Sequence, residues 1–436
     1  MTTRPRRWRT DRLTTGWMLV ALVTSGLTLA AHGAVPQPLW TAVHVVTLGV
    51  LTSSVLQWSW YFARALLHLP ADDPSGRGVT ARLLAFNVAL VTLVGAMWTG
   101  WVPGTIAGAA AIGTVVSWHG LALVRAARTR LGTRFAVVLR YYVAAAAFLV
   151  IGCVLAGFLT VAMFAHDAPG WLLAARDRLT LAHAVVNVGG WLGLSILGTL
   201  VTLGPTVLRT RIDPAALRMA VVALPGAVGG LVLAATAASI GWLAGLGTGL
   251  VVFAAAGAVG VGVPLVRAAR RANPGAFAAW TAGLGLVWSL VAVGAIAAQA
   301  FVAPDATALR DADLPWLAVL GAGGILQVLV GALTFLMPVV IGGGPGPARI
   351  GMAALETAWP ARVATRNTAL GLLAFATATG AGTLGLWWAA VLVCYAIDVA
   401  ALAVAGARQA RARRAAHPRP DAAATTTTTT TTRSTP

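Results

Sequence analysis

Long apolar runs recur along the whole chain, and short segments that carry most of the arginines separate them. About 20 consecutive apolar residues form a helix long enough to cross the hydrocarbon core of a bilayer. The pattern therefore predicts an all-α fold, a polytopic membrane helix bundle of about twelve transmembrane helices. The predicted spans are 15–33, 38–66, 83–101, 104–124, 141–165, 179–207, 217–240, 243–266, 277–303, 316–341, 367–383 and 386–406.

The distribution of basic residues predicts the orientation of these spans. All 31 basic residues are arginines. If the N-terminus is inside, only Arg176, Arg178 and Arg310 fall in outer loops. Inner loops of membrane proteins carry an excess of arginine and lysine. An error of one span would invert every later loop and remove this bias. The sequence thus predicts a multi-pass protein of a bacterial cell (inner) membrane, with both termini in the cytoplasm.

Composition agrees with a chain that lies mostly in a lipid bilayer. Of its 436 residues, 58% are hydrophobic and 10% are charged, and the mean hydropathy is +0.82. A soluble domain carries about 25% charged residues. The net charge of +19 is spread over short clusters between the spans rather than along one face, so nucleic-acid binding is not predicted.

Three regions follow from this organisation. Residues 1–14 are a basic cytoplasmic N-terminus, residues 15–407 form the twelve-helix membrane domain, and residues 408–436 are a cytoplasmic tail rich in arginine and threonine. The tail cannot bury apolar surface and is predicted to be disordered. The first apolar run opens a series of spans, so it is interpreted as a helix and not as a cleaved signal peptide. Cys153 and Cys394 lie far apart in apolar runs and indicate neither a disulfide framework nor a metal site.

Spans 2, 6 and 10 share features that suggest an internal repeat. Span 6 ends in the segment Gly198–Pro205 and span 10 in Gly331–Pro338, with the same offset from glycine to proline. Spans 2 and 6 each carry a histidine near the outer mouth, His44 and His183. The three spans are four apart in the chain, which predicts three four-helix units around a pseudo-threefold axis.

The histidines at these two positions are the main candidates for chemistry. Ionisable groups within a span are costly and are functional candidates by default. His44 and His183 lie at similar depth in the outer third of their spans, and two neutral imidazoles at one level are suited to a haem iron or a copper ion. Asn187 lies one turn below His183 and is predicted to support its ring. The alternative is that each imidazole only hydrogen-bonds a neighbouring helix.

The predicted spans contain a few other polar groups. His119 is a further candidate for cofactor binding, but its place in the inner half of span 4 separates it from the other two histidines. Asp398 is the one carboxylate predicted within a span. It is interpreted as half of an ion pair, with Arg64 as a candidate partner, and the alternative is a proton relay. The segment Arg140–Tyr142 is predicted to anchor span 5 at the inner headgroup level.

Several segments of the chain resemble segments of a known group of membrane proteins. They are the runs 40–49, 118–120, 140–142, 181–191, 198–209, 277–280 and 338–344. Together with twelve spans and three four-helix units, they make the chain resemble subunit I of the haem–copper oxidases and the related haem and copper membrane proteins of the nitric oxide response. It is also similar to the membrane domain of actinobacterial "copper oxidase" proteins. The resemblance implies haem or copper binding, in electron transfer, copper handling or nitric oxide response.

The chain also departs from the oxidase pattern. By the resemblance, His44 matches the haem ligand of the second helix and His183 the copper ligand of the sixth. Spans 7 and 10 lack the histidines that a complete oxygen-reducing centre needs, and Asn187 stands where that centre has a tyrosine. Oxygen-reducing oxidase activity is therefore not expected.

Two other functions remain open at this point. A cofactor-free transporter or permease fits twelve spans and 49 glycines, which permit broken helices. A membrane scaffold that partners a separate copper or redox protein fits as well, and it predicts that substituting either histidine affects packing alone. An enzyme acting alone is not favoured, because the spans hold no nucleophile–base pair and no paired carboxylates.

Overall fold

The computed structural model describes residues 8–70, 78–128, 134–272 and 274–416, and the regular structure in these ranges is helical. The helices are α1 Trp8–Ala30, α2 Pro38–Leu66, α3 Val79–Trp98, α4 Val102–Arg128, α5 Ala136–Phe164, α6 Gly170–Val207, α7 Ala216–Ile240, α8 Leu243–Ala272, α9 Phe277–Val302, α10 Ala306–Ile341, α11 Pro345–Leu355, α12 Trp359–Thr379 and α13 Leu384–Ala416. A short 3₁₀ turn, His32–Ala34, precedes α2.

Ten of these helices, α2 to α10 and α13, are long and apolar enough to cross a membrane. The chain is therefore an all-α, polytopic integral membrane protein, as predicted. The two remaining predicted spans correspond to α1, whose apolar part is Thr15–Ala30, and to α12, which is 21 residues long. Helix α12 is less apolar because it carries Arg362 and Arg366, and α11 connects it to α10.

Several predicted boundaries move. Helix α12 begins at Trp359 and not at residue 367. The prediction placed Arg366 in a loop, but this side chain is buried among other helices. Helix α13 continues to Ala416, so residues 408–416 are helical and not part of a disordered tail. Alanine and arginine favour a helix, and the Gln409 side chain donates to the carbonyl of Pro338 at 2.7 Å. The predictions for residues 1–7 and 417–436 fall outside the described residues.

The helices pack in a ring of three units of four. Within the ring, the fourth helix of each unit contacts the first helix of the next: α4 packs on α5, α8 on α9, and α13 on α1. Helices α2, α6 and α10 occupy the same place in the three units and lie toward the middle. The buried share of their apolar windows is 50%, 56% and 50%; it is also 50% for α4, and it is 28% for α5, α7, α9 and α13. This arrangement agrees with the repeat predicted from spans 2, 6 and 10.

Wide π-helical turns interrupt the three central helices. They are Val45–Thr52 in α2, Val185–Gly193 in α6 and Leu320–Leu326 in α10, with a shorter one at Ala258–Gly262 in α8. π-Turns are rare and occur most often at functional sites. Each turn adds a residue to the helix, which rotates the side chains that follow relative to those that precede.

A glycine in each of these three turns receives a large side chain from the preceding helix. A Cβ atom at Gly49 would lie 2.7 Å from Trp17, one at Gly190 would lie 2.5 Å from Phe148, and one at Gly323 would lie 3.1 Å from Trp288. Only glycine leaves room for these contacts. The helices involved are the first and second of each unit, so the same packing is built three times.

Two of the three units also share a hydrogen bond. The indole of Trp17 in α1 donates to the side-chain oxygen of Asn87 in α3 at 2.6 Å, and the indole of Trp288 in α9 donates to that of Asn367 in α12 at 2.9 Å. In each case the first helix of the unit is tied to the third. The middle unit has Phe148 in the tryptophan position and therefore has no indole to donate.

Candidate functional site

The imidazole rings of His44 and His183 lie next to each other in the structure. Their ring centroids are 6.3 Å apart and the ring planes are inclined by 30°. Each histidine stands within two residues of the start of a π-turn, in α2 and in α6. The two histidines, which the sequence placed at similar depth, are therefore neighbours, although they come from different four-helix units.

Each of the two histidines forms a hydrogen bond through its own Nδ1 atom. His44 Nδ1 lies 2.8 Å from the backbone carbonyl of Trp40, and His183 Nδ1 lies 3.1 Å from that of Gly152 in α5. A carbonyl oxygen can only accept, so each Nδ1 carries the hydrogen and donates it. The lone pair of each neutral ring is then on Nε2. A hydrogen bond of this kind is typical of metal-binding histidines, because it fixes both the tautomer and the ring orientation.

The residues around the pair fix it further. Trp40 stacks on the His44 ring with centroids 4.1 Å apart and planes inclined by 17°. Asn187 does not support the His183 ring as predicted: its amide donates to the backbone carbonyl of His183 at 2.8 Å. The Asn187 side chain instead occupies the space where a Cβ at Gly152 would be. Gly152 thus admits Asn187 and also supplies the carbonyl that orients His183, a role that the sequence alone did not indicate.

The spacing of the rings fits a single metal centre between them. A metal–imidazole bond is about 2 Å long, and the ring centre lies about 1 Å beyond the nitrogen, so two opposed imidazoles on one metal have centroids about 6 Å apart. The observed 6.3 Å agrees with this value. In the described part of the chain, no group of three or more histidine, cysteine or acidic side chains could hold a metal ion. A centre here would thus take two ligands from this chain, as a haem iron or a two-coordinate copper ion does.

His119 lies elsewhere, as its depth predicts. Its Nε2 is 2.9 Å from the hydroxyl of Ser59, and the residue is buried. Ser59 follows His44 by fifteen positions on α2, which corresponds to about 20 Å along a helix. Nearby, the guanidinium of Arg82 lies between the rings of Trp60 and Trp118, at 5.4 and 5.5 Å from their centroids. The structure thus does not bring His119 to the other two histidines.

The bundle also contains a large cavity. It has a volume of about 470 Å³ and is enclosed mainly by α2, α6, α8, α9 and α10. Its lining is almost wholly apolar, and the hydroxyl groups on it belong to Ser54, Ser59, Tyr142, Ser195 and Thr199. This volume lies within the range of small-molecule sites, which are mostly apolar with a few polar groups.

The two tyrosines of the segment Arg140–Tyr142 belong to this interior and not to the membrane surface. Tyr141 and Tyr142 are both buried. The Tyr141 hydroxyl donates to the carbonyl of Ala220 at 2.9 Å, and the Tyr142 hydroxyl lies 2.8 Å from that of Thr199. The predicted anchoring role is therefore wrong for these two side chains. Buried tyrosine hydroxyls find partners inside the protein, and these two find theirs on α7 and α6.

Asp398 forms an ion pair, but not with Arg64. Its carboxylate accepts hydrogen bonds from Arg362, at 2.6 Å, and from Arg366. Arg366 also donates to Gln327 at 3.1 Å and to Thr281 at 2.9 Å, so the cluster joins α9, α10, α12 and α13. The prediction of an ion pair is confirmed and that of Arg64 as its partner is wrong. Arg366 was missed because it stands at the edge of an apolar run, where an arginine is usually a loop residue.

A second buried carboxyl was also missed. Asp313, predicted to lie in an outer loop, is in α10 and is only 2% exposed. It shares a face with Leu317 and Leu320, at helical spacings of four and seven. That stripe was a signal that the helix begins before residue 316.

Comparison with known proteins adds no family to this description. No protein-family model and no curated protein matches the chain.

Proposed function

We propose that this integral membrane protein binds one redox-active metal centre, a haem iron or a copper ion, between His44 and His183. The distance of 6.3 Å between the two ring centroids carries the proposal, because one metal ion with two opposed imidazoles requires about that separation. Its role would be electron transfer, copper handling or nitric oxide response. The resemblance to subunit I of the haem–copper oxidases implies metal ligands on the second and sixth helices, but it assigns them to a haem and to a copper centre. The single shared centre therefore rests on the distance between the two rings.

The chain itself would orient the ligands and hold their protons. The carbonyls of Trp40 and Gly152 keep a hydrogen on each Nδ1, so both rings can bind as neutral imidazoles through Nε2. Stacking by Trp40 limits rotation of the His44 ring. A haem iron or copper ion bound there would supply one-electron chemistry. The two histidines lie on helices that are otherwise apolar around them.

Removing either ligand should abolish the centre. For His44→Ala and His183→Ala, we expect at least a tenfold loss of bound metal, because each variant leaves a single protein ligand. The measurement is a reduced-minus-oxidised optical spectrum of protein purified in mild detergent from cells supplied with haem and copper, with metal analysis of the same sample. A Soret band would identify haem, and copper without that band would identify a copper site.

His166→Ala is the matched control, since this histidine is exposed and follows the C-terminal end of α5. It should retain the full metal content. A wild-type preparation without metal or colour, or metal content that neither His44→Ala nor His183→Ala changes, would contradict the proposal.

Gly152→Ala should weaken the same site without removing a ligand. The added methyl group occupies the position of the Asn187 side-chain amide. The Asn187 side chain must therefore turn away, which disturbs the contact between α5 and α6 that holds the Gly152 carbonyl against His183 Nδ1. We expect a loss of metal occupancy of about tenfold, in the range found when a group that orients a ligand is removed. Gly157→Ala on the same helix is the control, because a Cβ there meets no neighbour within 4 Å. Equal metal content in the two variants would show that Gly152 does not position the site.

A cofactor-free transporter is the second candidate, and the central cavity favours it. A volume of about 470 Å³ between five helices is large enough for a small apolar solute. A colourless, metal-free protein in the experiment above would favour this function or that of a scaffold for a separate copper protein.

A further inference from the structure

The carboxyl group of Asp313 is buried, and one of its oxygen atoms has no hydrogen-bond partner among the described residues. The side chain is 2% exposed, and the oxygen atom without a partner is Oδ1. Most buried polar atoms in proteins have a partner, and one that lacks it calls for an explanation. An ionised carboxylate in this position would be very costly, whereas a neutral carboxylic acid would cost much less.

The surroundings of Asp313 are apolar. It lines a second cavity, of about 170 Å³, together with Leu317 and Leu320 and the π-turns of α6 and α8. The one other polar side chain on this lining is Ser289, whose hydroxyl donates to the carbonyl of Gly285 at 2.8 Å. Ile196, Gly262, Leu286, Leu290 and Ile325 line both this cavity and the central one, so the two cavities share a wall.

The charged groups near Asp313 form ion pairs or hydrogen bonds with other residues. Arg310, one turn before it on α10, pairs with Asp177 at 2.5 Å and with Asp311 at 2.8 Å. The other elements that pack on this part of α10 are α6, α9 and α12. Helix α9 has no ionisable residue. Those of α6, of α12 and of the segment around the start of α10 are Arg176, Asp177, Arg178, His183, Asp305, Arg310, Asp311, Arg362 and Arg366.

None of these groups neutralises Asp313. The cations of α12 are bound to Asp398, His183 donates to Gly152, and Arg178 lies beside Gly241. Within the part of the chain that the structure describes, no salt bridge to Asp313 is formed. No cation in the described ranges therefore compensates its charge.

We infer that Asp313 is a proton-binding site at the cavity between α6, α8, α9 and α10. A hydronium ion transfers its proton to a carboxylate oxygen of Asp313, which leaves water and a neutral carboxylic acid, and release is the reverse step. No electron transfer and no further reactant are needed. Binding or release of this proton sets the charge of the smaller cavity. Because the two cavities share a wall, it also changes the electrostatic potential in the central cavity. The inference is independent of the histidine pair.

Infrared spectroscopy tests the site directly. Protein in lipid nanodiscs is titrated from about pH 5 to about pH 9, in H₂O and in D₂O, and the C=O stretching band of neutral carboxylic acids is followed. We expect Asp313→Asn to remove a band that wild-type protein shows, because the amide has the same shape and no titratable proton. Asp311→Asn on the same helix should keep this band, because the Asp311 side chain is 65% exposed.

An identical band in wild-type protein and Asp313→Asn, or a carboxylate that stays ionised at about pH 5, would overturn the inference. If Asp313→Asn does not fold, the wild-type protein decides by itself. A hydrophobic carbodiimide adds only to a protonated carboxyl group, so peptide mass spectrometry should find its adduct on Asp313, with a yield that falls as the pH rises. Modification that leaves Asp313 unlabelled throughout would also overturn it.

Discussion

Asp398→Asn should lower the free energy of unfolding by about 3 to 5 kcal/mol, the cost of breaking a buried ion pair by removing one partner. The asparagine keeps the shape of the side chain but leaves two arginines without a counter-charge. The side chains of Arg366 and Asp398 are 1% and 2% exposed, and that of Arg362 is 12% exposed. Unfolding in detergent, followed by circular dichroism, measures the effect.

A matched ion pair nearer the surface provides the control. Arg310 and Asp177 lie 2.5 Å apart, but their side chains are 36% and 23% exposed. Asp177→Asn should cost at most about 1 kcal/mol, because water and salt screen an exposed pair. Combining Asp398→Asn with Arg366→Gln should recover part of the loss, since the second change removes one of the two uncompensated charges. Equal losses for Asp398→Asn and Asp177→Asn would contradict this account of the cluster.

Gly230→Val should destabilise the bundle by about 1 to 3 kcal/mol or more, the usual cost of overpacking. Helices α7 and α8 meet at Gly230 and Gly249, and a Cβ at Gly230 would lie 2.7 Å from the carbonyl oxygen of Gly249. It would also lie 2.7 Å from the backbone nitrogen of Phe253. Backbone atoms cannot turn away as a flexible side chain can, so the two helices must separate.

The neighbouring glycine separates this effect from helix propensity. A Cβ at Gly229 meets nothing within 4 Å, so Gly229→Val should change the unfolding temperature of detergent-solubilised protein very little. Similar loss of stability in both variants would mean that valine disfavours the helix itself and that the contact between α7 and α8 is unimportant.

The candidate site was partly visible in the sequence. His44 and His183 stood out because an ionisable residue in an apolar run is rare, and their similar depth followed from counting along each span. Gly152 carried no such signal, since glycine is common in this chain and its role depends on a helix that the histidines do not belong to. Arg366 and Asp313 were assigned to loops for a related reason: each lies near the end of an apolar run, where hydropathy does not show whether the helix continues.

The sequence by itself determined that the chain is a polytopic helical membrane protein, because transfer of a segment into lipid depends on the composition of that segment. It also indicated the unit of four helices, through spacings that recur along the chain. Only the tertiary structure decided which helices meet and which side chains face one another. The π-turns are one reason: each added residue rotates the following side chains by about 100°, a change that hydropathy does not record. The pairing of His44 with His183, of Asp398 with Arg366, and the burial of Asp313 all depend on such contacts between distant segments.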